Sequence, residues 1–506
     1  MRLAGVILAL WPLAVQAEAP LSAIDWLSQS LAAPKPAALP KPPAGTTGVA
    51  APDVTVQTLA AQVPDAVGLL STKVTGLPAN LWGDAPAAEI EKLINDQSPE
   101  ALPALQQLLI TLLLAEADPP VDSGAQPALL LTRIDKLLAL GALDQARALI
   151  EAAGPAHSPD LFRRSFDTAL LVGEENRACA VLAASPGLSP ALPTRIFCLA
   201  RQGDWEAAAL TLDTAKALNQ IDPGEADLLN RFLDPDAAEA SDPPAPPVPV
   251  TPLDMKIYES IGAPLSTASL PIAFSHADLS PNQGWKLRIE AGERLARVGA
   301  ITPNLLLGLY TERKPAASGG VWDRAAAFQA LDAAVEAGDG DAAARALPGA
   351  WAAMQSVELE VPLAELFAEK LMRLPLSGEA RTLATELALL SSDYESLTAG
   401  TVPQTAREAF LLGIARGQVG TLAPPDSMGR AIAPAFSAPV VPEDVAALLA
   451  RNQVGEAILL AMEKIAAGTA GDLPQVTAGL SILRKLGLED VARRSALELM
   501  LLDRRG

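Results

Sequence analysis

The chain has 506 residues, with 59 acidic and 38 basic side chains and a formal net charge of −21 at pH 7. A surplus of that size argues against a nucleic acid or an anionic membrane surface as partner, because both need clustered positive charge. Half of the residues are hydrophobic while only 4% are aromatic, so the apolar content is mostly Ala and Leu, which favours helix over strand.

The first residues, Met1-Arg2-Leu3-Ala4-Gly5, lead into an apolar run that ends Val15-Gln16-Ala17 before Glu18. This is the pattern of a secretory signal cut after Ala17, and it predicts an exported, periplasmic protein with residues 1–17 removed. The run is too short to span a bilayer and Pro12 interrupts it. Ala101 to Ala115, the longest apolar candidate further on, holds Pro103, Gln106 and Gln107, so no membrane-spanning helix is expected after cleavage. Residues 18–52 comprise a short amphipathic helix, Leu21 to Leu31, with Ile24, Leu27 and Leu31 at helical spacing, and a spacer with six prolines between Pro34 and Pro52. Residues 53–97 form a mixed lead-in. Val54, Val56 and Thr58 alternate as in a lone strand, and Gly76, Pro78 and Gly83 break the chain around Leu81-Trp82.

From 98 to 233 one pattern returns. Gly141, Gly173 and Gly203 each follow an apolar helical run and precede a small residue five positions on, namely Ala146, Ala178 and Ala208. Seven positions before each glycine stand Ile134, Phe166 and Ile196, which share a helical face with the residues nearer the turn. Each unit therefore reads helix, glycine turn, helix, with the glycine in the left-handed conformation and the alanine allowing close packing. Ser98-Pro99, Ser158-Pro159, Ser189-Pro190, Ser280-Pro281 and Thr302-Pro303 read as helix starts. Residues 234–253 hold seven prolines and form a predicted linker between this lobe and a second helical lobe, 254–506. That lobe repeats the pattern at Gly338, Asn452 and Gly487, followed by Ala343, Ala457 and Ala492 and preceded by Leu331, Val445 and Leu480. A third proline-rich stretch, 421–444, contains Met428, Ile432 and Phe436 and is expected to be a long loop lying on the fold.

Spacings of 32 and 30 residues between the first three glycines, with Gln202-Gly203-Asp204-Trp205-Glu206-Ala207-Ala208 as the clearest stretch, resemble the tetratricopeptide-like repeat family. The early Trp-x-x-Leu-Gly of its full consensus is missing. The resemblance implies an all-α, helical-hairpin solenoid, here in two lobes. The Ala- and Pro-rich texture is also similar to a group of exported alphaproteobacterial proteins known as antifreeze-related. That activity is not carried over, because ice-binding repeats need a ladder of evenly spaced Thr and none occurs.

The two cysteines, Cys179 and Cys198, fall on consecutive antiparallel helices of the repeat, a geometry that permits a disulfide in an oxidising compartment; two buried free thiols are the alternative. With His157 and His276 the only histidines, no metal site or histidine-based triad can be assembled, and no cofactor is expected. Gly338-Asp339-Gly340-Asp341 reads as the repeat turn and not as a calcium loop. The most unusual polar segment runs from Tyr310 to Arg324. In it Tyr310 and Trp322 are candidates to stack on a ligand while Arg313 and Arg324 hold an anion; the alternative is a helix end, a turn and an anchoring Trp. The reading that follows is a non-catalytic periplasmic scaffold or adaptor that binds envelope proteins or peptides. Its alternatives are a peptidoglycan-active enzyme or accessory, with Glu312 one candidate acid, and a small-ligand-binding protein.

Overall fold

The computed structural model describes residues 63–124, 127–189, 191–234, 236 and 242–502. The signal-like segment, the helix at Leu21 to Leu31, the first spacer and the strand expected near Val54 lie outside the described residues. Among the described residues the protein is all-helical, with no strand and a single isolated bridge between Leu70 and Ala115. No described helix is long and apolar enough to cross a membrane.

The helices used below are, in the first part of the chain, α1 (Ala87–Asp96), α2 (Pro103–Leu114), α3 (Ala128–Ala139), α4 (Leu143–Ala153), α5 (Pro159–Leu171), α6 (Glu175–Ala184), α7 (Leu192–Arg201) and α8 (Trp205–Ala217). Later come α9 (Trp285–Arg297), α10 (Pro303–Thr311), α11 (Val321–Glu336), α12 (Gly340–Gln355), α13 (Ser427–Ser437), α14 (Glu443–Ala450), α15 (Val454–Thr469), α16 (Leu473–Lys485) and α17 (Glu489–Leu501).

The six turns read from the sequence join α3 to α4, α5 to α6, α7 to α8, α11 to α12, α14 to α15 and α16 to α17. All six turn residues have positive φ: 72° at Gly141, 75° at Gly173, 87° at Gly203, 65° at Gly338, 58° at Asn452 and 82° at Gly487. In each, the amide after the turn residue donates to the carbonyl four positions before it, as from Ala142 to Leu137 (2.9 Å) and from Asp204 to Leu199 (3.0 Å). This is the Schellman closure, which satisfies carbonyls a helix end would otherwise leave bare. The following alanines, Ala146, Ala178, Ala208, Ala343, Ala457 and Ala492, are all buried, as are the apolar residues seven positions before the turns. Gly141 is constrained twice, because a Cβ there would also lie 2.5 Å from the Ile272 side chain.

Not every expected helix start is used. Ser158 and Thr302 accept from the amides of Leu161 (3.2 Å) and Leu305 (3.3 Å) as N-caps. By contrast, the helices expected at Ser98, Ser189 and Ser280 begin later, at Pro103, Leu192 and Trp285. Ser98 spends its hydroxyl on a local turn, accepting from the Glu100 amide (3.1 Å). The stretch 421–444 is also corrected, since its middle is not loop but α13. Asp426 caps α13 through the Gly429 amide (2.8 Å), and Ile432 and Phe436 are buried one helical turn apart. The prolines at 424 and 425 precede that helix, and Pro434 is accommodated inside it.

The described residues lie within one compact unit, Val54–Gly506. The core does not break at the proline-rich segment 234–253: Leu253 at its end and Ile257 and Tyr258 beyond it share a cluster with Phe162, Phe166 and Phe197 before it. The Tyr258 hydroxyl donates to the Pro244 carbonyl (2.8 Å), and His276 Nε2–H donates to the carbonyl of Gly141 (2.7 Å).

A second long-range junction, a seam, joins residues 81–107 to residues 451–498. The Gly455 amide donates to the Leu81 carbonyl (2.8 Å), Gln97 to the Leu459 carbonyl (3.3 Å), and the Ala104 amide to both Glu498 carboxylate oxygens (3.0 Å each). Leu81, Trp82, Ile90 and Ile94 are buried, each worth about 1.5–3 kcal/mol of hydrophobic stabilisation. Glycine lets the backbones meet here. A Cβ at Gly455 would lie 2.4 Å from the Trp82 ring, and one at Gly83 would lie 2.4 Å from the Arg451 carbonyl oxygen.

Candidate functional site

The segment from Tyr310 to Arg324 joins α10 to α11, and its groups are taken up by the chain itself. Tyr310 is fully buried, stacked on Phe328 with ring centroids 4.7 Å apart, and its hydroxyl donates to Glu293 Oε1 (2.6 Å). Arg324 grips the same carboxylate bidentately from Nε (2.7 Å) and Nη2 (2.6 Å), a fork geometry suited to a half-buried ion pair. Burial, and then the Glu293 carboxylate, push the Tyr310 phenol far above its usual range. Trp322 packs on Trp285 with centroids 5.2 Å apart, and the Trp285 indole donates to the Leu309 carbonyl (2.7 Å). Gln329 fastens the turn by donating to the carbonyls of Tyr310 (2.7 Å) and Arg313 (2.6 Å). Of the four residues, Tyr310 and Arg324 meet at Glu293, Trp322 anchors α11, and only Arg313 stays exposed, beside Glu312 at 3.2 Å. Glu312 also pairs with Arg288 at 2.5 Å. The phenol ring has no face free for stacking, and the Arg324 charge is already matched.

The other polar candidates are likewise held internally. His276 is pulled below its ordinary pKa, chiefly by burial, which favours the neutral ring that the Gly141 contact accommodates. Asp278 accepts from the Thr267 hydroxyl and is raised by burial. Asp339 caps α12 through the Ala342 amide (2.9 Å), in keeping with a turn. The side chain of His157 lies outside the described residues. Among the described residues, no three His, Cys, Asp or Glu side chains converge as metal ligands.

A different face stands open. Helix α8 buries Ala208, Leu212 and Ala215 against the core, yet Leu210 and Leu218 on its outer side are 69% and 59% exposed, and Trp205 is 49% exposed. Leu210, Thr214 and Leu218 are four residues apart and line up along the helix. Beside them is a groove of about 270 Å³ lined by Leu192, Leu210, Thr211, Thr214, Ala215 and Gln220. Thr211 and Thr214 donate their hydroxyls back to the Ala207 and Leu210 carbonyls (2.7 Å each), so each oxygen remains an acceptor. The Cys179–Cys198 disulfide ties α6 to α7, with Cα atoms 5.1 Å apart. Sequence reasoning passed over Leu210 and Leu218. The available signal was a helix apolar on two faces, where one stripe suffices for packing.

Comparison of the chain with protein-family models, with curated proteins and with solved structures found no match in any of the three.

Proposed function

We propose that the protein is an exported adaptor of the bacterial envelope, a tetratricopeptide-like array of helical hairpins that binds other proteins or peptides on its surface and carries out no chemistry of its own. In this reading residues 1–17 direct export, and 98–233 and 254–506 are two lobes of hairpins packed into one unit. The observation that carries it is the open apolar face of α8, which lies on one of the six hairpins that share a common turn. Exposed apolar side chains flanking a groove are a common mark of an interaction surface, whereas scattered ones are not. The Schellman-closed turns support the repeat reading, since each of the six is followed five positions on by a buried alanine.

The test is crosslinking in the native cell with photoreactive residues placed along the hairpins, followed by mass spectrometry. Reproducible capture of one or a few envelope proteins is the expected result. Capture of none from any position, with glycan strands retained instead, would overturn the reading in favour of a wall-active protein.

A further inference from the structure

The groove beside α8 has an electrostatic setting as well as an apolar one. Between Ala191 and Asp234 stand seven carboxylates, Asp204, Glu206, Asp213, Asp222, Glu225, Asp227 and Asp234, and four cations, Arg195, Arg201, Lys216 and Arg231. The cations are engaged within the chain. Arg195 donates to the carbonyls of Ser189 (2.7 Å) and Pro186 (3.0 Å), Arg201 pairs with Glu175 (3.0 Å), Lys216 reaches Asn230 (3.2 Å) and, more distantly, Asp213 (3.8 Å), and Arg231 pairs with Asp227 (3.1 Å). Asp213 and Glu206 lie on the exposed surface of α8 itself. The groove rim adds the acceptor oxygens of Thr211 and Thr214. Apolar walls, acceptors at the rim and a surrounding excess of negative charge together ask for a ligand with an apolar anchor and flanking donors that carry positive charge.

We propose that this face takes a basic amphipathic segment of another protein, with a large apolar side chain seated between Leu192 and Leu210 and Lys or Arg residues lying over the carboxylates of α8. The proposal rests on the adaptor reading and names its partner's chemistry. Leu218, two turns on from Leu210, extends the apolar contact past the groove. Because Leu210 and Leu218 are mostly exposed, replacing either leaves the core intact, so a loss of binding is not a loss of folding.

The experiment measures fluorescence anisotropy of the full chain with two labelled synthetic peptides, one with a leucine stripe at helical spacing and lysine elsewhere, the other with glutamate in place of every lysine. The lysine peptide is expected to bind, more weakly as salt rises, and the glutamate peptide is not. Leu210→Ser is expected to weaken binding at least tenfold, and Glu206→Gln with Asp213→Asn is expected to weaken it and flatten the salt dependence. No binding of the lysine peptide, equal binding of both peptides, or undiminished binding to Leu210→Ser would overturn the proposal. A photoreactive residue at position 210 separates this outcome from failure of the adaptor reading. Partners captured in the cell only from other hairpins, captured segments that are not basic, or a crosslink from 210 into the same chain would sink this assignment and leave the adaptor reading standing. Capture from no position would remove both.

Discussion

Replacing Glu456 with glutamine is expected to stabilise the protein above pH 7 and to flatten the dependence of its stability on pH. Glu456 stands in the first turn of α15, inside the seam, where it is only 3% exposed and its Oε2 has no hydrogen-bond partner. Burial above all, then the charges of Glu89 and Asp84, push its carboxyl from the ordinary 4.5 up to about 7; Arg451 opposes them. The other cations on α15 and its neighbours are engaged elsewhere or exposed: Lys92 pairs with Asp96 (2.5 Å), Arg484 with Glu489 (2.7 Å), Lys464 with Asp444 (4.0 Å), and Lys485 is exposed. A folded-state pKa above the unfolded one means that the folded chain holds the proton more tightly. The contribution is therefore fully present below pH 4.5 and is lost as pH rises to about 7. At about 1.4 kcal/mol per tenfold change in proton affinity, the loss amounts to roughly 3 kcal/mol, an upper figure that water entering the opened seam reduces. Six other carboxylates, Glu91, Asp167, Glu225, Asp278, Asp332 and Glu386, are also raised, in each case chiefly by burial, so the wild-type baseline falls too as pH rises. The informative quantity is thus the difference between wild type and variant in urea midpoint, measured from pH 5 to pH 9. It is expected to be small at pH 5 and to grow in favour of the variant up to pH 8. Parallel curves, or a variant less stable at pH 8, would refute the reasoning.

Glu293→Gln leaves the Arg324 guanidinium without its counter-charge, at an expected cost of about 3–5 kcal/mol, while Tyr310→Phe forfeits one hydrogen bond for roughly 1 kcal/mol; thermal midpoints of the two variants should fall in that order. Cys179→Ser with Cys198→Ser removes the closure of a short loop and should destabilise by about 3 kcal/mol, with no further loss when reductant is added. Gly455→Val drives a side chain into the Trp82 ring, and overpacking of this kind costs about 1–3 kcal/mol. Its signature is faster amide exchange confined at first to residues 81–97 and 454–470, and uniform acceleration across the chain would contradict it.

The hairpins were legible because each is a local event. An apolar residue seven positions before a glycine and an alanine five after it are constraints inside one stretch of chain, and all six turns read this way carry the left-handed residue. The same closure ends further helices at Asn219, Gly262, Gly299, Glu358, Gly417 and Gly471. These turns lack the flanking pattern, and at Glu358 even the residue type argues against it. The cysteine pair was legible for the same local reason. What stayed hidden depends on residues far apart in sequence: nothing near Trp82 announces Gly455, and nothing near Tyr310 announces that Glu293 takes both its hydroxyl and Arg324. Proline density misled at 421–444, where prolines bracket a helix whose apolar spacing, Met428, Ile432 and Phe436, was the better guide. The α8 groove was missed because an exposed leucine and a buried one look alike in sequence.

The seam also dictates an order of events while the chain is being made. Its hydrogen bonds join residues 362, 394 and 387 positions apart, so Leu81, Trp82 and α1 leave the ribosome tens of seconds before their partners exist, at ordinary elongation rates. Hairpins such as α3–α4 can close as soon as they emerge, but this apolar surface has to remain uncovered or be shielded until α15 to α17 arrive. A chain that ends before residue 451 therefore has the hairpins' local closures but an uncovered apolar edge at Leu81, Trp82 and α1.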